Sequence, residues 1–198
     1  MLTVLTFAFG GFMRGIIEGK DARERLLLAG LAELEAVGVR EFSLRRVAAR
    51  AEVSCAAPYR YFKDKEELIL AVLSYVMDGW TLLSEQIYSA FSDPADRIIR
   101  LASSGVRFWI ANGSFRSVLT AGEGDFDRQR RLVLSLFDSP IKRAVFEYSD
   151  GRNADGEMLE FTVLSLIYGS VSLIEGGGDG DERIISRLEK RLGRELSL

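Results

Sequence analysis

The sequence contains no histidine and only one cysteine, Cys55, among its 198 residues. Without histidine, neither a Ser-His-Asp nor a Cys-His arrangement can be built, and the His-bearing zinc motifs are excluded with them. A lone cysteine cannot close an intramolecular disulfide, so a reducing, cytoplasmic setting is expected. Carboxylates, lysines, tyrosines and serines are the acid-base groups left. The residues therefore give no reason to expect an enzyme, and no cofactor or metal is expected either. Proline is also scarce, with three residues, while 47% of the chain is hydrophobic and 28% charged. That balance suits a folded globular protein with a packed core.

Long apolar runs are missing too. Leu2 to Phe12 is uncharged and mostly apolar, but it falls well short of the roughly 20 residues that a membrane-spanning helix needs. No membrane partner is expected. Arg14 lies after the run, not before it, and no A-x-A follows, which argues against a signal peptide. Residues 1–19 read as an extension, either an upstream mis-assigned start with Met13 as the initiator or a short added segment.

What is present is helical periodicity. From Asp21 to Val37, apolar residues recur at Ala22, Leu26, Ala29, Leu34 and Val37, and Gly38 follows as a stop. Ser43 precedes the stripe Leu44, Val47, Ala48 and Ala51, where its hydroxyl would cap a second helix. After Glu52 and Val53, Ser54 would cap a third short helix over Cys55 to Phe62, with Pro58 distorting its first turn. Two brief helices across so tight a turn predict a helix-turn-helix. Asp64 and Glu67 form a capping-box pair before Leu68, Ile69, Val72, Leu73 and Val76.

Further helices are expected from Asp93-Pro94 to Ala111, from Ser114 to Thr120, up to about Tyr148, from Glu157 to Glu175 and from Asp181 to Leu196. No run alternates with period two, so the fold class is all-α: an N-terminal three-helix domain over 20–65 and a larger helical domain over 66–198. The loops Ala121 to Asp125 and Asp150 to Glu157 lack the patterns of phosphate or calcium loops and read as solvated turns.

Charge is uneven. The net charge is −3, yet Lys20 to Lys65 holds ten Lys/Arg against seven Asp/Glu, and Ser43 to Lys65 holds six against two. A basic island on an acidic chain is the footprint expected of a nucleic-acid-reading module.

The stretch Phe42 to Leu68, in particular the continuation Tyr59-x-x-Phe62-x-x-Lys65-Glu66-x-Leu68, resembles the DNA-binding signature of the TetR family over about Asp21 to Met77. The resemblance implies a transcriptional regulator that reads double-stranded operator DNA, with Tyr59 and Lys65 on phosphates, Tyr61 where histidine is common, and Ser43 at a phosphate. Arg45, Arg46 and Arg60 are candidates for phosphate or base contact. Ala56 and Ala57 would let the backbone approach the groove floor, where their methyls can meet thymine methyls. Ser54 and Cys55 complete the DNA-binding set. Leu44, Val47, Val53 and Phe62 are assigned to packing. Glu52 stands where glycine is usual in the family, and Ala56, Ala57 and Pro58 replace more polar or bulkier residues, so the operator sequence stays open.

The family also implies a homodimer through the last two helices and a small-molecule effector. For the dimer interface the candidates are Ser165, Gly169, Ser172 and Gly176, a small-residue stripe, with Ile184, Leu188 and Leu192; packing of these helices within one chain is the other reading. For a lipophilic effector they are Phe108, Trp109, Phe115, Phe137, Phe146, Phe161 and Tyr168, although for any one of them packing in an ordinary helical core is the preferred reading. A repressor released by its effector is the reading adopted. A constitutive or activating DNA-binding regulator shares every DNA-side residue, and an α-helical enzyme using Glu123, Asp125 or Asp127 would show turnover and indifference to DNA. Cys55, near the groove and at a helix start, is either a redox sensor or simply a small residue that fits.

Overall fold

The computed structural model describes residues 21–113, 126–150, 152, 155–174 and 179–196. The expected extension over 1–19, the helix Ser114–Thr120 with Phe115, the acidic loop with Glu123 and Asp125, and Gly176 lie outside the described residues. Among those described, every regular element is helical: α1 (Ala22–Glu41), α2 (Leu44–Arg50), the 3₁₀ turn η1 (Pro58–Arg60), α3 (Lys65–Ala90), α4 (Pro94–Ala111), α5 (Asp127–Ser149), α6 (Gly156–Leu173) and α7 (Asp179–Glu195). They fall into two compact units that part at Val76 and Met77 within α3. Among the described residues the first holds 21–76, 111–113 and 126–131, and the second holds 77–110, 132–150, 152, 155–174 and 179–196.

In the first unit, Asp21 accepts a hydrogen bond from the Glu24 amide at 2.7 Å and starts α1. Leu26, Leu27, Leu28, Leu31 and Leu34 are buried. The helix is interrupted at Gly38, whose φ of 70° and ψ of 178° suit a residue without Cβ. Gly30 allows α1 and α3 to meet, since a Cβ there would lie 2.8 Å from Val72 Cγ2. Asp64 caps α3 as expected, the Glu67 amide donating to it at 2.9 Å, while the Glu67 carboxylate reaches back one residue farther than in a capping box and accepts from the Lys63 amide. Leu68, Ile69, Val72, Leu73 and Val76 are all buried. α3 is long and apolar enough to cross a membrane by length and composition, but these side chains are covered by protein.

The second unit is centred on aromatic rings. Trp80 stacks on Phe137 at 4.8 Å between centroids and also meets Phe108 at 5.6 Å, and Trp109 sets its edge to Phe137 at 5.3 Å. The Trp80 indole N–H donates to the Phe137 carbonyl at 3.2 Å. A Cβ at Gly105 would lie 2.8 Å from the Phe137 ring, so the glycine makes room for that ring. α7 turns Ile185, Leu188, Leu192 and Leu196 inward.

Tyr88 donates to the Pro140 carbonyl at 2.8 Å, and its ring lies under Arg97 and Arg143 at 4.9 and 4.0 Å. Burial first, and then the Glu147 carboxylate, push its hydroxyl up to about 12. A tyrosine whose folded-state value lies above the ordinary 10 stabilises the fold below pH 10 and loses that contribution as pH climbs toward 12. Denaturant midpoints should therefore fall between pH 10 and 12 more steeply in the wild type than in Tyr88→Phe; equal slopes would remove Tyr88 as the cause.

Candidate nucleic-acid interface

α2 ends in a closed turn. The Val53 amide donates back to the Ala48 carbonyl at 3.0 Å and the Glu52 amide to that of Ala49 at 3.2 Å, the paired pattern of a Schellman cap. Such a cap needs one residue in the left-handed region, and here it is Glu52, with φ of 54°. Ser43 occupies the N-cap position of α2 in an extended conformation, but its side chain makes no capping bond. The capping expected for it is corrected accordingly.

The third helix is likewise corrected. Cys55 to Phe62 is not α-helical but a series of tight turns around η1. Pro58 has no N–H to give to the Ser54 carbonyl, and that carbonyl accepts from the Ala57 amide at 2.9 Å instead. Arg60 bonds back to Ala57 and Tyr61 to Pro58, each three residues earlier. Pro58 and Phe62 are buried and fix both ends of the turn. Between and before them the chain faces outward: Tyr59 is 62% and Tyr61 38% exposed, and Ser54, Cys55, Ala56 and Arg60 are exposed, with Ala57 half-buried.

Arg45 is exposed and Ser43 half-buried. Arg46 is committed within the protein, donating from Nε to Glu33 and from Nη2 to the Glu41 carbonyl. Lys65 donates to the Arg40 carbonyl at 2.9 Å. Among the residues assigned to packing, Val47 and Phe62 are buried, while Leu44 and Val53 are half-buried. Sequence reading missed Glu33, which is fully buried, and Arg50, which reaches it at 3.2 Å. Among the described residues, no acid and thiol groups gather as a metal ion would require.

The effector candidates separate. Trp109 and Phe137 are fully buried, Phe108 is buried, and Tyr168 packs on both rings at 6.5 and 6.0 Å. Phe146 and Phe161 are 71% and 68% exposed and do not join this cluster. The inward stripes of their helices are Phe137, Ile141, Ala144 and Val145 on α5 and Val163, Ile167 and Val171 on α6, so both phenylalanines fall on the outer face. Tyr168 donates to Asp138 at 2.7 Å, and burial raises both groups above their ordinary values. Glu157, Glu160, Phe161, Leu164, Ser165 and Tyr168 line an open groove of about 610 Å³ along α6.

The dimer candidates separate as well. Ser165, Gly169 and Ser172 are exposed, Ile184 is half-buried, and Leu188 and Leu192 are buried within their own unit. The outer ridge of α7 is basic instead, with Arg183, Arg187, Lys190 and Arg194 exposed at helical spacing.

A helix, a closed turn and an outward-facing aromatic and basic segment pinned by buried residues have the layout of a helix-turn-helix DNA-binding module, with a 3₁₀ turn where the second helix would stand. Residues 26–72 match the family model described as bacterial regulatory proteins, tetR family. Over that stretch the chain is similar to this family, and a larger helical domain accompanies it. No curated protein matches the chain. Several solved structures share its fold. A TetR-family transcriptional regulator from Streptomyces coelicolor is 21% identical, with a TM-score of 0.72 over 90% of this chain and 89% of that one. The regulator FadR from Bacillus subtilis, solved in complex with stearoyl-CoA, is 13% identical, with a TM-score of 0.66 over 88% and 96%. AibR, solved with isovaleryl coenzyme A and operator DNA, is 16% identical, with a TM-score of 0.66 over 88% and 97%.

The strain at Glu52 is testable. Glycine relieves the left-handed cost but loosens the unfolded chain, so Glu52→Gly should gain about 0.5–1 kcal/mol. Urea titration should show a higher midpoint at unchanged slope, and a lower midpoint would contradict the assignment of strain.

Proposed function

We propose that this protein is a cytoplasmic, homodimeric transcriptional repressor that binds operator DNA through the turn carrying Tyr59 and leaves it when a lipophilic effector of the acyl-coenzyme A class binds the second unit. The observation that carries the DNA half is the exposure of Tyr59 between two buried anchors, Pro58 and Phe62. A large ring held outward on a fixed turn costs hydrophobic burial, and contact with a groove wall recovers it. Ser54, Cys55, Ala56 and Ala57 approach the bases, while Ser43, Arg45, Arg60, Tyr61 and Lys65 serve the strands beside them.

Support for dimerisation is the outer face of α6, where Met158, Phe161 and Leu173 are exposed beside the small residues Ser165 and Gly169. A Cβ at Gly169 would meet nothing within 4 Å, so a partner helix could come close there. The effector half is supported by the aromatic cluster with the polar pair Tyr168 and Asp138 beside it, and by the acyl-coenzyme A ligands of similar folds. An effector releases DNA only through differential affinity for the two states of the protein.

Fluorescence anisotropy with duplexes drawn from a random library tests the first half. Log affinity should fall linearly with log salt, and Arg45→Ala and Arg60→Ala should each flatten that slope by about 0.9. Tyr59→Ala should weaken binding to every duplex alike. Indifference to all duplexes at low salt would end the regulator reading.

A series of acyl-coenzyme A thioesters tests the second. At 100 times its dissociation constant a ligand that binds only the folded state stabilises it by about 2.7 kcal/mol, seen as a raised melting temperature. The same thioester should release a bound duplex. Stabilisation without release would favour a regulator whose DNA binding does not depend on the ligand.

A further inference from the structure

Glu33 has no ordinary reason to be where it is. It lies on the inward stripe of α1, next to Leu31 and Leu34, and is fully buried. A carboxylate removed from water is heavily penalised unless charged donors replace its hydration. Both of its oxygens are supplied from α2: Oε1 accepts from Arg46 Nε and Oε2 from Arg50 Nε at 3.2 Å. Arg46 gives a further hydrogen bond, from Nη2 to the Glu41 carbonyl.

Arg46 and Arg50 are one helical turn apart, and their side chains remain 51% and 47% exposed. The buried carboxylate therefore holds the inner edge of each guanidinium while the outer part stays in solvent. Two long side chains that would otherwise sample many rotamers are restrained on the helix that enters the turn. One negative charge between two positive ones leaves that end of α2 with a net positive charge.

We infer that Glu33 is a positioning residue for DNA binding, fixing Arg46 and Arg50 so that their outer N–H groups meet backbone phosphates. The inference rests on the DNA-binding reading above and adds to it a residue that never touches the ligand. Arg50, absent from the sequence-derived set, becomes a phosphate contact, and Arg46 becomes one that is held in advance.

The sign of one effect separates this role from simple electrostatics. Removing a buried negative charge makes the module more positive, so Coulomb attraction alone predicts tighter binding to any duplex. Loss of positioning predicts weaker binding. Glu33→Gln sets an amide donor against one of two guanidinium donors, so at most one arginine stays tied to residue 33, and Arg46 keeps only its bond to the Glu41 carbonyl if Arg50 is the one retained. Glu33→Met places an apolar side chain in an apolar stripe and guards against a variant that fails to fold.

In the full-length protein, with thermal melts confirming folding, both variants should bind a random-sequence duplex roughly tenfold more weakly at 0.1 M salt. Their log-log salt slopes should fall by up to about 1.8, two phosphates' worth. Added to Arg46→Ala/Arg50→Ala, Glu33→Met should cause no further loss. Wild-type binding with unchanged or tighter binding by folded Glu33→Met would overturn the positioning role alone. Absence of wild-type binding to any duplex would remove the DNA-binding reading and this inference with it.

Discussion

Pro58 has no amide hydrogen, and the exposed surface of the first unit follows from that lack. The Ser54 carbonyl, denied a partner four residues on, takes the Ala57 amide instead, and the chain tightens into a 3₁₀ turn. A regular helix of eight residues would spread its side chains around an axis. The tighter turn buries Pro58 and Phe62 and puts Tyr59 between them into solvent. Arg23 lies over the Phe62 ring at 5.7 Å, adding a cation to the buried end of the anchor. The outward set is therefore defined by what the two buried residues hold.

Much of the architecture was legible because the signals were local. Asp93 and Pro94 mark the start of α4, and its observed range to Ala111 is the one read from the sequence. Gly38 and the Asp64 cap were equally readable, since a cap or a stop acts within a few residues. The DNA-side motif could be read because its spacing is compact, from Tyr59 to Leu68.

Other features escaped because their cause lies farther away along the chain or in competing geometry. Ser43 sits at the right position to cap α2 and yet makes no bond. Phe146 and Phe161 share a helical domain with Phe137 but fall one and two positions off the inward stripe, which composition cannot reveal. Leu188 and Leu192 form an apolar flank, but periodicity does not say whether it meets its own chain or another. Glu33 reads as an ordinary surface acid until arginines 13 and 17 residues later are seen to reach it. The sequence-level charge count registers these groups without pairing them.

Cys55 is exposed, and it is the chain's single thiol. A maleimide reagent has one place to react, and that place borders the turn that displays Tyr59. An environment-sensitive fluorophore or a nitroxide would thus be installed at a unique position without prior mutagenesis. The molecule carries its own attachment point for spectroscopy, beside the surface proposed above to meet DNA.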